Sequence, residues 1–178
     1  ALAFASWLEG SGKPAAATAA RALAASTPLG LAAELPGPVG ETNRYALHPR
    51  GRVLLLAQTE AGLRAQLAAV LATGNAAVIG EGPALAHDLP AAVTARIERP
   101  DDWRDAGPFA AALVEGDAAR VLESQAAIAA LPGRIVPVQA AGVGASGGGY
   151  RAEWLVEEVS TSTNTTAAGG NASLMALV

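Results

Sequence analysis

The sequence predicts an α/β domain built on a doubly wound, mostly parallel sheet, with a smaller β-flap toward its C-terminal end. Three observations predict it. Apolar runs of strand length alternate with helix-periodic stretches between Arg52 and Val138. The connections between them are short, which calls for right-handed crossovers and helices on the sheet faces. The chain has 178 residues, 51% hydrophobic and 16% charged, enough for one domain with a real core.

Taken in order, residues 1–27 are alanine-rich, with Phe4, Trp7 and Leu8, then Ala19, Ala22 and Leu23, at helical spacing. They read as one or two helices broken near Gly10-Ser11-Gly12 and Pro14. From Leu35 the run Pro-Gly-Pro-Val-Gly-Glu is turn chemistry, and Thr42 to Leu47 reads as a short edge strand stopped by Pro49. Arg52 to Ala57 is a continuous apolar run too short for a helix, so it reads as a strand buried on both faces. Glu60 to Ala72 carries Leu63, Leu67, Val70 and Leu71 at helical spacing, and Thr73-Gly74 closes it. Asn75 to Ile79 is the next strand. A short helix around Ala84 to His87, strands near Val93 to Ile97 and Ala110 to Val114, a helix from Asp117 to Ala130 and a strand Arg134 to Val138 follow. Gly142 to Gly149 is a Gly/Ser link. Beyond it Tyr150, Ala152, Trp154 and Val156 alternate with charged residues as in a half-buried strand, Ser160 to Thr166 reads as a polar turn, and the chain ends on an apolar stretch. Four segments result: a helical lead-in 1–34, a core 35–141, a linker 142–149, and a flap with a C-terminal motif 150–178. A flap that the sheet does not cover exposes an open edge, which points to a partner surface.

Composition excludes more than it suggests. There is no cysteine, so disulfides, thiolate metal sites and a cysteine nucleophile are absent from this chain, and two histidines do not make a histidine-rich metal site. Alanine supplies about a quarter of the residues and buries little area per side chain, so the core should be thin and the few aromatics should mark its gaps or its contacts. One lysine, Lys13, and scattered arginines on a chain of net charge −4 form no basic stripe for nucleic acid. No apolar stretch approaches the ~20 residues of a bilayer-spanning helix. The N-terminus, without Met or a basic n-region, reads as a cut fragment rather than a secretory signal.

The motifs that invite chemistry have plainer readings. Gly142 to Gly147 fits Gly-x-Gly-x-x-Gly, but no helical pattern follows to receive a pyrophosphate, so it is a linker. His48 and Asp88 lack a nucleophile elbow to complete a triad, and His87-Asp88 is too isolated for a metal. Asp101-Asp102 and Glu157-Glu158 are adjacent pairs whose members point to opposite faces in a strand, unsuited to paired carboxylate catalysis. Asn164-Thr165-Thr166 and Asn171-Ala172-Ser173 read as polar turns rather than glycosylation acceptors.

Two stretches carry a family resemblance. Leu35 to Ala57 (LPGPVGETNRYALHPRGRVLLLA) and Ser162 to Met175 (STNTTAAGGNASLM) resemble the C-terminal region of the long proline utilization A proteins, bacterial bifunctional flavoenzymes of proline catabolism. Between them the chain is similar to the dinucleotide-binding half of the aldehyde dehydrogenase fold. The resemblance implies a Rossmann-like sheet with an oligomerisation flap, in a parent enzyme that uses FAD and NAD and is cytoplasmic or peripheral to the inner membrane.

The departures from that family set the expected function. Gln58 stands in Ala-Gln-Thr where the family has the amide of its oxyanion hole. Gly80 follows Ala72 to Ile79 where the family has a lysine on the adenosine ribose. Glu115 lies in Leu-Val-Glu-Gly where a coenzyme-facing Phe-Thr-Gly-Ser is expected, and its charge would repel pyrophosphate. Gln139 occupies the place of the general base, and an amide cannot accept that proton. The resemblance therefore implies a noncatalytic copy with no cofactor, metal or catalytic residue of its own. It would pack on an aldehyde dehydrogenase domain of the same polypeptide or of a neighbouring subunit and help wall a substrate-channelling cavity. The residues expected at that contact are Trp154, Val156, Asn164, Gly169, Gly170, Asn171, Leu174, Met175 and Leu177. Self-association through the flap is a further option. A regulatory nucleotide-binding domain is the competing reading.

Overall fold

The structure is a computed structural model and describes residues 1–84, 86, 88–144 and 149–164. Two helices open the chain, α1 (Leu2–Gly10) and α2 (Pro14–Ser26). Pro14 starts α2 where a missing N–H costs nothing, and Gly12 takes a φ of +71° in the turn between them. Glu9 and Arg21 pair across the two helices. Phe4, Ala5, Leu8, Ala17 and Ala20 of α1 and α2 are buried in the main core.

The parallel sheet takes its strands from the apolar runs. Its members are β3 (Arg52–Leu56), β4 (Ala76–Glu81), β5 (Ile97–Glu98), β6 (Ala111–Glu115) and β7 (Val138–Ala141), in spatial order β5-β4-β3-β6-β7. All pairings are parallel. Helix α3 (Glu60–Ala72) joins β3 to β4, α4 (Ala91–Thr94) precedes β5, and α5 (Ala118–Ala129) joins β6 to β7. Successive residues of β3 face opposite ways, as the period of a strand requires. Val53 and Leu55 meet α1, α2 and α3 residues such as Leu8, Leu63 and Leu67. Leu54 and Leu56 meet Trp103, Phe109 and Ile128 on the other face. The chain runs outward from β3 to β5, then returns to place β6 on the opposite side of β3, so the order reverses between β3 and β6. In such sheets ligands bind outside the carboxyl ends of the strands at that reversal.

A second, antiparallel sheet consists of β1 (Ala32–Leu35), β2 (Glu41–Pro49) and β8 (Val156–Asn164) in the order β1-β2-β8. Its register runs from Glu41↔Asn164 to Pro49↔Val156. Most of β8 is exposed beyond Val156.

Several sequence expectations need correction here. Residues 42–47 lie in the central strand of the small sheet, not an edge, because β1 pairs on one side and β8 on the other. Ser160 to Asn164 is strand rather than turn: β-branched threonines suit a pleated ribbon, and β2 supplies backbone partners along its whole length. Residues 152–155 form a 3₁₀ turn instead of a strand, which buries Ala152 and Leu155 and turns Trp154 outward. The strand expected over Arg134 to Val138 starts only at Val138, since Pro137 has no N–H to give and contributes its carbonyl to Ala112 N–H. Val93 lies buried within helix α4 rather than opening a strand. Residues 32–49 belong with the flap sheet, which is therefore assembled from both ends of the core. The helix expected around Ala84 to His87 falls partly outside the described residues.

Candidate functional site

The crevice at the carboxyl ends of β3 and β6 is where this topology would receive a ligand. It is built from the turn after β3 (Ala57-Gln58-Thr59), the first turn of α3 and the end of β6. Thr59 is the N-cap of α3, and its hydroxyl accepts from Gly62 N–H at 3.0 Å. The free N–H groups of a helix start favour an anion.

That anion is Glu115, the last residue of β6 and fully buried. Its Oε2 accepts from Gln58 N–H at 2.7 Å and Thr59 N–H at 2.8 Å. Its Oε1 accepts from the Thr59 hydroxyl at 2.6 Å and Gly144 N–H at 2.7 Å. Burial pushes the Glu115 carboxyl up, but the Thr59 hydroxyl and the N–H groups of Gly144, Thr59 and Gln58 outweigh it and hold it below the ordinary carboxylate range. A carboxylate with four donors and a lowered pKa is a poor base, so the Thr59–Glu115 contact does not make an activated hydroxyl.

The other positions singled out in the sequence are occupied by structural contacts. Gln58 contributes its backbone N–H to Glu115 while the residue as a whole is exposed. Gly80 lies under Trp103: a Cβ there would stand 2.8 Å from the indole Cγ and Cδ1 and from Leu54 Cδ1. A side chain of any length at this position would have to displace the indole. Gln139 pairs with the backbone of Arg151, its Oε1 accepting from Arg151 N–H at 2.8 Å and its Nε2 donating to Arg151 C=O at 3.1 Å. Both ends of the amide are thus spent on holding the segment after the linker.

Sequence reasoning missed Arg120 and Gln66 beside this corner and Asn75 at the opposite, amino end of the strands. Arg120, in the first turn of α5, donates from Nε to Glu115 C=O at 2.9 Å and from its terminal nitrogen to Glu81 Oε2 at 2.7 Å. Because β4 and β6 flank β3, this guanidinium reaches across the end of β3. Gln66, fully buried on α3, donates to Leu113 C=O at 3.2 Å and to the Tyr150 hydroxyl at 2.9 Å. Tyr150 in turn donates to Val114 C=O at 3.2 Å, and burial pushes its pKa up to about 12. Asn75 accepts from Gly51 N–H at 2.8 Å and donates to Leu155 C=O at 2.8 Å, which fixes the start of the flap to the sheet. Only Gln66 left a trace in the sequence, as a polar residue between the apolar Leu63, Leu67 and Val70.

The expected contact residues separate. Trp154 is 49% exposed, with the Arg151 guanidinium 5.2 Å from its ring centroid. Val156 is 5% exposed and belongs to the interior of the chain, because the 3₁₀ turn brings it inward; it is not a surface contact. Asn164 sits opposite Glu41 at the far end of the flap. Gly169, Gly170, Asn171, Leu174, Met175 and Leu177 lie outside the described residues. Among the described residues no cluster of three metal-ligating side chains exists, and no helix is long and apolar enough to cross a membrane.

No protein-family model matches the chain. Curated relatives do. It is 54% identical over 180 residues to the bifunctional protein PutA of Rhizobium meliloti, covering 98% of this chain and 15% of that protein. It is 43% identical over 169 residues to the bifunctional protein PutA of Salmonella typhimurium, covering 93% of this chain and 13% of that protein. The chain therefore spans about one seventh of the length of the relatives it matches. A solved structure of proline utilization A (PutA), with proline bound in remote sites, shares the fold over 71% of this chain and 15% of its own, at 23% identity and a TM-score of 0.53. By its match along nearly its whole length, the chain is homologous to a segment of the bifunctional PutA proteins.

Proposed function

We propose that this chain is a noncatalytic, Rossmann-like module of a bifunctional proline-catabolic flavoenzyme. It packs on the aldehyde dehydrogenase part of the same polypeptide or of a neighbouring subunit, supports that activity and helps wall the cavity through which the intermediate passes between two sites. FAD and NAD belong to the rest of the parent enzyme, which is cytoplasmic or peripheral to the inner membrane. The observation that carries this reading is the Glu115 carboxylate seated at the start of α3, with both oxygens engaged, where a coenzyme phosphate would have to lie. Gly80 under Trp103 and Gln139 on the Arg151 backbone support it. The docking elements are the small sheet and exposed Trp154, with Gly169, Gly170, Asn171, Leu174, Met175 and Leu177 following them in sequence.

Two measurements test it. Calorimetric titration of the chain with NAD, NADH and ATP should give no saturable binding; a micromolar constant for any of them overturns the noncatalytic reading and favours a nucleotide-binding regulator. In the full-length enzyme, removal of Thr163 to Val178 should lower aldehyde oxidation and leave proline dehydrogenation in place. Unchanged coupled turnover refutes the docking role.

A further inference from the structure

We infer that Glu115 acts as a built-in ligand, a carboxylate that holds the crevice permanently in the arrangement an external oxyanion would otherwise induce. This rests on the noncatalytic reading of the crevice and adds a mechanism to it. The carboxylate does not come from α3 or its own capping residue. It comes from β6, the strand on the far side of the topological reversal, and it joins two other pieces of chain: the turn after β3, which also caps α3, and the loop after β7. Each oxygen takes two donors, so the Gln58, Thr59 and Gly144 N–H groups are already engaged and are not left for a phosphate.

A second, independent feature fits only an occupied corner. Gly62 lies inside α3, where glycine is unfavourable relative to alanine. A Cβ at Gly62 would fall 1.9 Å from Glu115 Oε2 and 2.1 Å from its carboxyl carbon. Glu115 is itself fully buried and tethered on both oxygens, so it cannot swing aside to make room. The absence of a side chain at position 62 is thus matched to the carboxylate at position 115. Arg120 closes the same corner from above, since its Nε holds the Glu115 carbonyl and its terminal nitrogen holds Glu81.

The test uses the 178-residue chain, whose two core clusters are built from its own residues. Wild type, Glu115→Ala, Gly62→Ala and the double variant are melted in sodium chloride, acetate and inorganic phosphate at one ionic strength. Glu115→Ala should lose stability, and acetate or phosphate should return about 5 °C or more of its melting temperature relative to chloride, with wild type unmoved. Gly62→Ala should lower the melting point of wild type and leave that of Glu115→Ala unchanged or raised. A Glu115→Ala chain indifferent to the anion, or a Gly62→Ala penalty equal in both backgrounds, overturns the inference. If Glu115→Ala does not fold, Glu115→Gln keeps the shape but cannot accept at both ends. Amide exchange at Gln58, Thr59 and Gly144 should then rise at least tenfold at one of the three while the middle of α3 stays protected; no such rise refutes the lock. Nucleotide binding by wild type would instead refute the noncatalytic reading, so the two failures are distinguishable.

Discussion

Adding a side chain at Gly80 should damage the fold. An added Cβ would meet Trp103 Cγ and Cδ1 and Leu54 Cδ1 at 2.8 Å, against an ordinary carbon contact of roughly 3.5–4.0 Å. The indole would have to retreat by about 0.7 Å or more to reach that range. It has little room, because Trp103 is 3% exposed, packs on Phe109 with ring centroids 6.4 Å apart and carries the Arg104 guanidinium 4.6 Å above it. Overpacking of this kind costs about 1–3 kcal/mol. Loss of glycine's freedom in the unfolded chain offsets about 0.4–1 kcal/mol. Gly80→Ala should therefore be destabilised by about 1–2 kcal/mol, or roughly 3–6 °C for a chain of this size. Urea and thermal unfolding measure it. In a Trp103→Ala background the indole contacts vanish, and the same substitution should become neutral or mildly stabilising. A Gly80→Ala chain as stable as wild type, or one equally penalised with and without Trp103, would refute the argument that the indole fills the space over position 80.

Further predictions follow from the same contacts. Because the folded-state pKa of Glu115 is depressed, its contribution is complete above the unfolded carboxyl range and is lost as pH falls through the folded value; urea midpoints between pH 7 and pH 3 should drop more steeply for wild type than for Glu115→Gln. The opposite sign holds for Tyr150, raised to about 12, whose contribution is complete below the unfolded range near 10 and lost as pH climbs through 12; Tyr150→Phe should flatten that alkaline loss. Asn75→Ala leaves the Gly51 N–H without its acceptor and releases one of the ties to Leu155 C=O, so it should cost about 2–3 kcal/mol and speed amide exchange at Gly51 first. Trp154→Ala should leave the unfolding midpoint of the chain within about 1 kcal/mol of wild type, whereas Val156→Asp should unfold it. Equal effects of the two would contradict their assignment to surface and core.

The parallel sheet was legible because its signal is local. Arg52 to Ala57 has to be a buried strand: Leu54 and Leu56 face one core, Val53 and Leu55 the other, and no polar residue interrupts either side. The N-cap Asp117, which accepts from Arg120 N–H at 2.9 Å, and Thr59 mark helix starts just as plainly. The small sheet was not legible, because β2 and β8 are separated by more than a hundred residues and neither has a core face to give it a period. Burial in β8 falls to exposed on nearly every residue after Val156, so its hydroxyl-rich composition reads like a turn until its partner is known. Of the site, Gln58, Gly80, Glu115 and Gln139 could be named from the sequence, but not the contacts they make: the charge of Glu115 suggested repulsion of a phosphate, whereas the structure seats that carboxylate on Gln58, Thr59 and Gly144. Arg120 gave no warning, since an arginine in a helix has many surface uses; Trp103 could be read only as one of the aromatics that fill a gap or meet a partner, without its position over Gly80.

The replaced positions share a physical logic. Simple loss of reactive groups would leave a hollow whose N–H groups are satisfied by water and whose loops are free to move. Here the substitutions are compensated in pairs: Glu115 with Gly62, Gly80 with Trp103, Gln139 with the Arg151 backbone. Each pair is a contact within the chain, so the edge of the sheet is ordered without the binding energy of a ligand. That property, one shape whether or not nucleotide is present, is what the proposed role as a wall would require. A regulator needs the reverse, a crevice whose order changes with its ligand, whereas here the Glu115 carboxylate already takes the Gln58, Thr59 and Gly144 N–H groups.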